Sequence, residues 1–109
     1  MNNEIANMLG EPFGTHPSLA RERLMKLIAG ELDRAYEKHG TQPWGRHEFY
    51  AILKEELDEL WDAIKADQPQ EKVITEVIQV AAVCFRYFET NDRYRGPHPN
   101  SQTTLPTRN

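Results

Sequence analysis

The sequence predicts an all-α fold: an antiparallel helical hairpin plus one further long helix, completing a four-helix-type bundle by homo-oligomerisation. Three observations carry this expectation. Apolar residues recur at helical spacing in three segments, residues 19–39, 46–66 and 70–91. Stop and turn signals separate the segments, Gly40 with Pro43 in one gap and Asp67-Gln68-Pro69 in the other. The few β-branched clusters fall inside helical spacing, so no strand is expected.

Residues 1–18 are broken by Gly10, Pro12, Gly14 and Pro17 and read as an irregular N-terminal arm, with room for one short helix near residues 4–9. Ser18 is a good N-cap for the first long helix, residues 19–39. Leu24, Leu27, Ile28, Leu32, Ala35 and Tyr36 share one face of it, and Gly40 supplies its stop. Thr41-Gln42-Pro43-Trp44-Gly45 then connects to the second helix, residues 46–66, and the third covers residues 70–91. From Arg93 onward, three prolines and the lack of periodicity predict a flexible tail over 93–109. The domain proper is thus a single all-α unit, residues 19–92.

Composition narrows the function. The 109 residues carry 13 basic and 17 acidic side chains, a formal charge of −4, which disfavours a broad nucleic-acid-binding face. No apolar run approaches the roughly 20 residues of a membrane span, and no signal peptide opens the chain. The lone Cys84 excludes an internal disulfide and a Cys-rich zinc site. The expectation is a cytoplasmic protein with neither a membrane nor a nucleic-acid polymer among its partners. A monomer of this size buries only about two-thirds of its unfolded surface. Three amphipathic helices make a thin core, which points to a dimer or tetramer.

Glu55, Glu56, Asp58, Glu59 and Asp62 crowd the second helix. Turning each residue through about 100° per step gathers Phe49, Ile52, Leu53, Leu57, Leu60 and Ile64 into an apolar stripe. Glu56 falls inside that stripe and Glu59 on its border, while Glu55, Asp58 and Asp62 point away. A solvated face therefore explains only three of the five acids. On the third helix Val73, Ile74, Val77, Ile78, Val80, Ala81, Cys84, Phe85 and Phe88 make a broad apolar face, with Glu76 on one border and Gln79 further round. Residues at one height of an antiparallel hairpin have position numbers of constant sum. Glu56 and Gln79 total 135, as do Glu59 and Glu76, and half of 135 falls between Asp67 and Gln68, inside the expected turn. These four side chains should meet at two adjacent levels.

Carboxylates crowded on an apolar seam repel and lose hydration, so they persist there only if protonated, hydrogen-bonded or neutralised by a cation. Three carboxylates and a carboxamide offer hard oxygen donors, which suit Mg²⁺ or Mn²⁺ rather than zinc. A magnesium ion held this way keeps positions for water and phosphate oxygens, the equipment for phosphoanhydride hydrolysis. The competing reading is a buried ion-pair network in which Lys54, Lys65 or Arg86 neutralises the acids.

Lys54-Glu55-Glu56-Leu57-Asp58-Glu59-Leu60-Trp61-Asp62-Ala63-Ile64, followed after a proline-bearing turn by Glu76-Val77-Ile78-Gln79, resembles the MazG-type all-α nucleoside triphosphate pyrophosphohydrolases. That family pairs E-x-x-E on one helix with E-x-x-D on the next, binds magnesium with them, and works as dimers or tetramers of helical bundles. The resemblance covers residues 46–88, under half of the chain. Residues 47–61 and Gln79-Val80-Ala81-Ala82 look most like small phage-encoded MazG-like proteins. It implies Mg²⁺ ligation by Glu56, Glu59 and Glu76, with Gln79 at the fourth position and Glu55 as an assisting acid. Glu55, Glu56 and Glu59 are then the catalytic candidates, Glu55 or Glu59 orienting or deprotonating the water. The implied reaction takes an NTP or dNTP to the monophosphate plus pyrophosphate.

Gln79 departs from the motif, which has aspartate there. Its amide oxygen can ligate a hard cation but brings one fewer negative charge and cannot act as a base. Restoring that charge in Gln79→Asp should raise activity or tighten Mg²⁺ binding. The alternative function is a catalytically weak or inactive nucleotide-binding protein that sequesters its ligand on the same scaffold. A third is a helical interaction module whose acids serve solubility or pairing.

Six further residues are candidates for contact with a nucleotide: Trp44, Arg46, His47, Lys54, Lys72 and Arg93. Trp44 could stack on a base or staple the connector to the bundle. Arg46 and His47 open a helix, where backbone N–H groups and the dipole favour an anion. Lys54 and Lys72 flank the acids, with surface solubilisation as their other role. Arg93 follows the third helix and could close over a ligand or complement the dipole. His47-Glu48 fails as a zinc-protease motif because position 51 is Ala51. Cys84 reads as a small core residue, and Trp61, Phe85 and Phe88 as core or subunit-interface side chains. His16, His39 and His98 have no ligand spacing and are expected to face solvent.

Overall fold

A computed structural model describes residues 16–91, which form three helices: α1 (Pro17–His39), α2 (Arg46–Lys65) and α3 (Gln70–Glu89). The described residues are all helix, turn or connector, with no strand. None of these helices is long and apolar enough to cross a membrane. The short helix expected near residues 4–9 and the tail with Arg93 lie outside the described residues.

Helix α1 begins two residues before its expected start, so the arm ends sooner than position 18. Pro17 fits the first turn because the N–H it lacks would have no intrahelical partner. The cap is His16 rather than Ser18: its Nδ1 accepts the Ser18 backbone N–H at 3.1 Å and lies 2.8 Å from the Ser18 hydroxyl. At the other end Gly40 adopts φ 78, where a side chain would be strained, and donates its N–H to the Tyr36 carbonyl at 2.8 Å. Helix α2 stops at Lys65, and Asp67 takes φ 53 in the turn, a left-handed conformation that aspartate tolerates. Helix α3 ends at Glu89, two residues short of the expectation. Thr90 is buried there and donates its hydroxyl to the Arg86 carbonyl at 2.7 Å, competing with a further turn.

Helix α3 is the central element, and both α1 and α2 pack on it. Phe49 and Tyr87 stack with centroids 4.1 Å apart and planes 9° from parallel. Their position numbers total 136, so α2 and α3 take the antiparallel register expected from the turn. Hydrogen bonds join Gln79 to Glu31 and Arg86 to the Gly40 carbonyl, at sequence offsets of 48 and 46. The Tyr36 hydroxyl donates to Glu89 at an offset of 53, and three offsets this similar mean that α1 runs parallel to α3. The core between them is Leu27, Ile28 and Leu32 against Ile78 and Ala82, flanked by Tyr36, Ile74, Ala81 and Phe85.

Two apolar flanks stay outside this core. Tyr50, Leu57, Trp61 and Ile64 on α2 are 45–65% exposed, and Val77 and Phe88 on α3 are 41% and 57% exposed. Cys84, expected in the core, is exposed too. Positions 77, 84 and 88 lie roughly a quarter turn round α3 from the side that meets α1. The apolar face of α3 is wider than one neighbouring helix can cover.

Ile78 is the most enclosed core side chain, at 2% exposure. Urea unfolding of Ile78→Ala should show a loss of about 2–5 kcal/mol, against about 0.5–1.5 kcal/mol for Ile78→Val. Equal midpoints for the two variants would mean that this core does not carry the fold.

Candidate functional site

The hairpin register brings the acids together. Glu56 and Glu59 stand one turn apart on α2 and Glu76 faces them from α3, with one carboxylate oxygen of each within 4.8 Å of the other two. Glu76 is 7% exposed, Glu56 half-buried and Glu59 exposed, so the cluster reaches from the seam to its open edge. Two opposite ligands on octahedral Mg²⁺ lie about 4 Å apart, so side-chain shifts of under about 1 Å would let one ion take all three. The donor set is all carboxylate oxygen and fits that cation.

Crowding acts most strongly on Glu56. Burial pushes its carboxyl up to about 7, helped by the charge of Glu59 and a hydrogen bond with it, then by the charges of Glu76 and Glu55. Glu55 itself is exposed and outside the cluster, contributing field rather than a ligand.

The cations proposed for a buried ion-pair network are engaged elsewhere. Lys54 pairs with Asp58 at 3.3 Å and Lys65 with Asp62 at 3.4 Å, both on exposed surface. Arg86 lies over the Trp44 ring, 4.4 Å from its centroid. Lys72 is the cation that arrives, its Nζ 2.8 Å from Glu76 Oε1. The hydrogen bond to Glu76, and then the charge of that carboxylate, raise the Lys72 pKa. Among the described ion pairs, one ammonium answers three carboxyl groups.

Gln79 is at the expected height, lining the same cavity as Glu56, but its amide has a different partner. Its Nε2 donates to Glu31 Oε2 on α1 at 2.9 Å. Arg34, one turn along α1, donates to the other oxygen of Glu31. Burial pushes the Glu31 carboxyl up, but the hydrogen bonds from Gln79 and Arg34 and the Arg34 charge outweigh it and hold the pKa below its ordinary value. An aspartate at 79 would lose this donor and set an anion beside Glu31. That cost opposes the gain expected from added charge.

Beside the cluster opens a cavity of about 710 Å³, bounded by α1, the connector, the first half of α2, and α3. Glu31, Glu48, Glu56 and Gln79 supply its acidic and amide groups, and Trp44, Ile52 and Val83 its apolar wall. Arg34, Lys38, His39 and Arg86 make a basic rim. Trp44 is half-buried and, through Arg86, staples the connector to α3 while also lining the cavity.

Of the basic candidates read from sequence, Arg46, His47, Lys54 and Lys72 are all exposed and absent from the cavity lining; only Lys72 touches the cluster. Sequence reasoning passed over Glu31, Arg34, Lys38 and the cavity role of His39. The signal that would have found them is the parallel packing of α1 on α3, which the hairpin sum does not address.

No family model, no curated protein and no solved structure matches the chain. The MazG-type resemblance accordingly rests on the motif residues alone.

The Glu56 carboxyl titrates at about 7 in the fold against an ordinary 4.5, so between those values the folded chain binds more protons than the unfolded one. Stability of the metal-free protein should therefore fall as pH rises from about 4.5 to about 7 and level off above. Thermal melts in chelator should show this decline in the wild type and its reduction in Glu56→Gln. Added Mg²⁺ should raise the melting temperature more at pH 8 than at pH 5. Parallel pH profiles for the two proteins would exclude this account of the seam.

Proposed function

We propose that this chain is a Mg²⁺-dependent nucleoside triphosphate pyrophosphohydrolase, releasing pyrophosphate and a monophosphate from an NTP or dNTP. The observation that carries the reading is the convergence of Glu56, Glu59 and Glu76 within 4.8 Å, beside a cavity rimmed by basic side chains. That cavity has a volume of about 710 Å³, within the roughly 300–1,000 Å³ usual for small-molecule sites.

Glu56, Glu59 and Glu76 would hold Mg²⁺, or Mn²⁺ in its place, and the bound cation would screen the phosphates and lower the pKa of a water. The chain's own groups do the rest. Glu59, the exposed member, would orient or deprotonate that water. Trp44 and Ile52 give the nucleoside an apolar wall. The exposed Cys84 thiol suits a reducing, cytoplasmic setting.

A second reading, nucleotide binding without turnover, is favoured by Gln79. It stands where the family motif has a carboxylate, and its amide nitrogen is turned to Glu31.

We also propose that the exposed apolar flanks of α2 and α3 pair with a second copy, completing a four-helix-type bundle. Burying side chains such as Trp61 and Leu57, now 55% and 45% exposed, would enlarge a core of few residues.

A panel of NTPs and dNTPs with Mg²⁺ should yield pyrophosphate, with the rate falling by about 100-fold or more in Glu56→Gln and Glu76→Gln. Asp58→Asn, on the outer face, should keep the wild-type rate. A nucleotide-dependent thermal shift without pyrophosphate would favour sequestration. No shift and no product, with Mn²⁺ as well, would leave the interaction module.

Native mass measurement should show a dimer or tetramer, and Trp61→Glu should shift it to monomer. A monomeric wild type at micromolar concentration would exclude the pairing.

A further inference from the structure

We propose that Glu31 reads the nucleoside, accepting a hydrogen bond from an N–H or O–H group on its base or sugar, and that Gln79 is the positioning residue that holds it there. This rests on the reading of the cavity as a nucleotide site. It adds which nucleosides that site takes: those offering a donor where their analogues carry a carbonyl oxygen or only hydrogen.

Besides the exposed Glu48, the cavity has two anionic regions of different character. Glu56 belongs with Glu59 and Glu76 in the seam between α2 and α3. Glu31 comes from α1 and is not part of that three-carboxylate group. Its two protein donors are unequal. Gln79 is neutral, and Arg34 is 53% exposed, so water screens its charge. Both Glu31 oxygens accept from protein donors, as a carboxylate does, and a carboxylate repels phosphate, so the uncharged nucleoside is the part of the ligand that Glu31 can face. A carboxylate only accepts hydrogen bonds. A donor there is matched, whereas a carbonyl oxygen would leave two acceptors opposed and unsatisfied.

Position along α3 supports the same assignment. Gln79 lies at the height of Glu56, and Val83 and Arg86 continue the cavity wall for about 10 Å of helix toward the Trp44 stack. A ligand whose phosphates reach the acidic cluster and whose nucleoside fills this cavity lies along the wall that Glu31 helps to form. The Gln79 hydrogen bond crosses from α3 to α1 and fixes one carboxylate oxygen, leaving Arg34 to hold the other.

The test uses nucleotide pairs in which hydrogen replaces one donor group: dATP with the triphosphate of purine 2′-deoxyriboside, dGTP with dITP, and CTP with dCTP. The first two vary the base and the third the sugar. With Mg²⁺, wild-type kcat/KM should favour the donor-bearing member of at least one pair by about tenfold or more. Should nucleotides bind without turnover, the same ratio is read from Kd by calorimetry. Glu31→Gln, whose amide can donate as well as accept, should bring that ratio to within about threefold. Gln79→Leu should lower the ratio too. The Mg²⁺-induced thermal shift, which reports on the acidic cluster, should persist in Glu31→Gln. Wild-type ratios near one in every pair, or a ratio unchanged in Glu31→Gln, would overturn the role of Glu31 while leaving the hydrolase reading intact. Absence of nucleotide binding and of turnover would instead remove the nucleotide site itself, and this inference with it.

Discussion

Glu56 and Glu76 set their carboxyl groups in a seam where apolar packing leaves them little water. A buried carboxylate must recover its lost hydration through a proton, a hydrogen bond or a cation. The seam uses each of these in turn: Glu56 is pushed toward its protonated form, Glu56 and Glu59 share a hydrogen bond, and Lys72 reaches Glu76. The arrangement holds only because the hairpin register is fixed. The Phe49–Tyr87 stack pins one end, and the turn through Asp67 pins the other. A one-residue slip along α2 would turn Glu56 by about 100° and dissolve the cluster.

Helix α3 makes fold and site inseparable. Ile74, Ile78, Ala81 and Ala82 face the core with α1, while Glu76, Gln79, Val83 and Arg86 recur every three or four residues toward the seam and the cavity. Ile78 stands between Glu76 and Gln79, so the most enclosed side chain of the core sits between two residues of the candidate site. Packing of α1 onto α3 also delivers Glu31 to Gln79 and Gly40 to Arg86. Substitutions that loosen α1 would therefore disturb the cavity without touching a ligand.

Much of this was legible in the sequence because the hairpin is a local object. Its turn lies where Asp67-Gln68-Pro69 breaks the helical pattern, and one sum then relates every facing pair. Glu56 could be singled out because a charged residue inside an apolar stripe departs from helical patterning. What failed concerns α1, which lies outside the hairpin, or the share of a face that solvent keeps. Cys84 was assigned to the core by periodicity, but periodicity cannot say how much of a wide face one neighbour covers. Ser18 looked like the cap because its residue type is favoured there, yet the His16 ring supplies the acceptor one step outside the helix. Glu31 carried no signal, since its partner is 48 residues away on a helix whose direction relative to α1 no local pattern sets.

The contrast between Lys72 and a divalent ion shows what a metal would add to the seam. Lys72 reaches forward from the preceding turn of α3, so its ammonium meets Glu76 and leaves Glu56 and Glu59 to share a hydrogen bond. It brings one positive charge, from a side chain that is itself 46% exposed and largely screened. A divalent ion among the three oxygens would bring two charges to all of them at once. It would also replace the proton on Glu56, so binding is linked to proton release near neutral pH. The chain thus tolerates its crowded acids without an ion, through one proton and one lysine. The charge left over, with one lysine and one proton against three carboxyl groups, is what the proposed cation would neutralise.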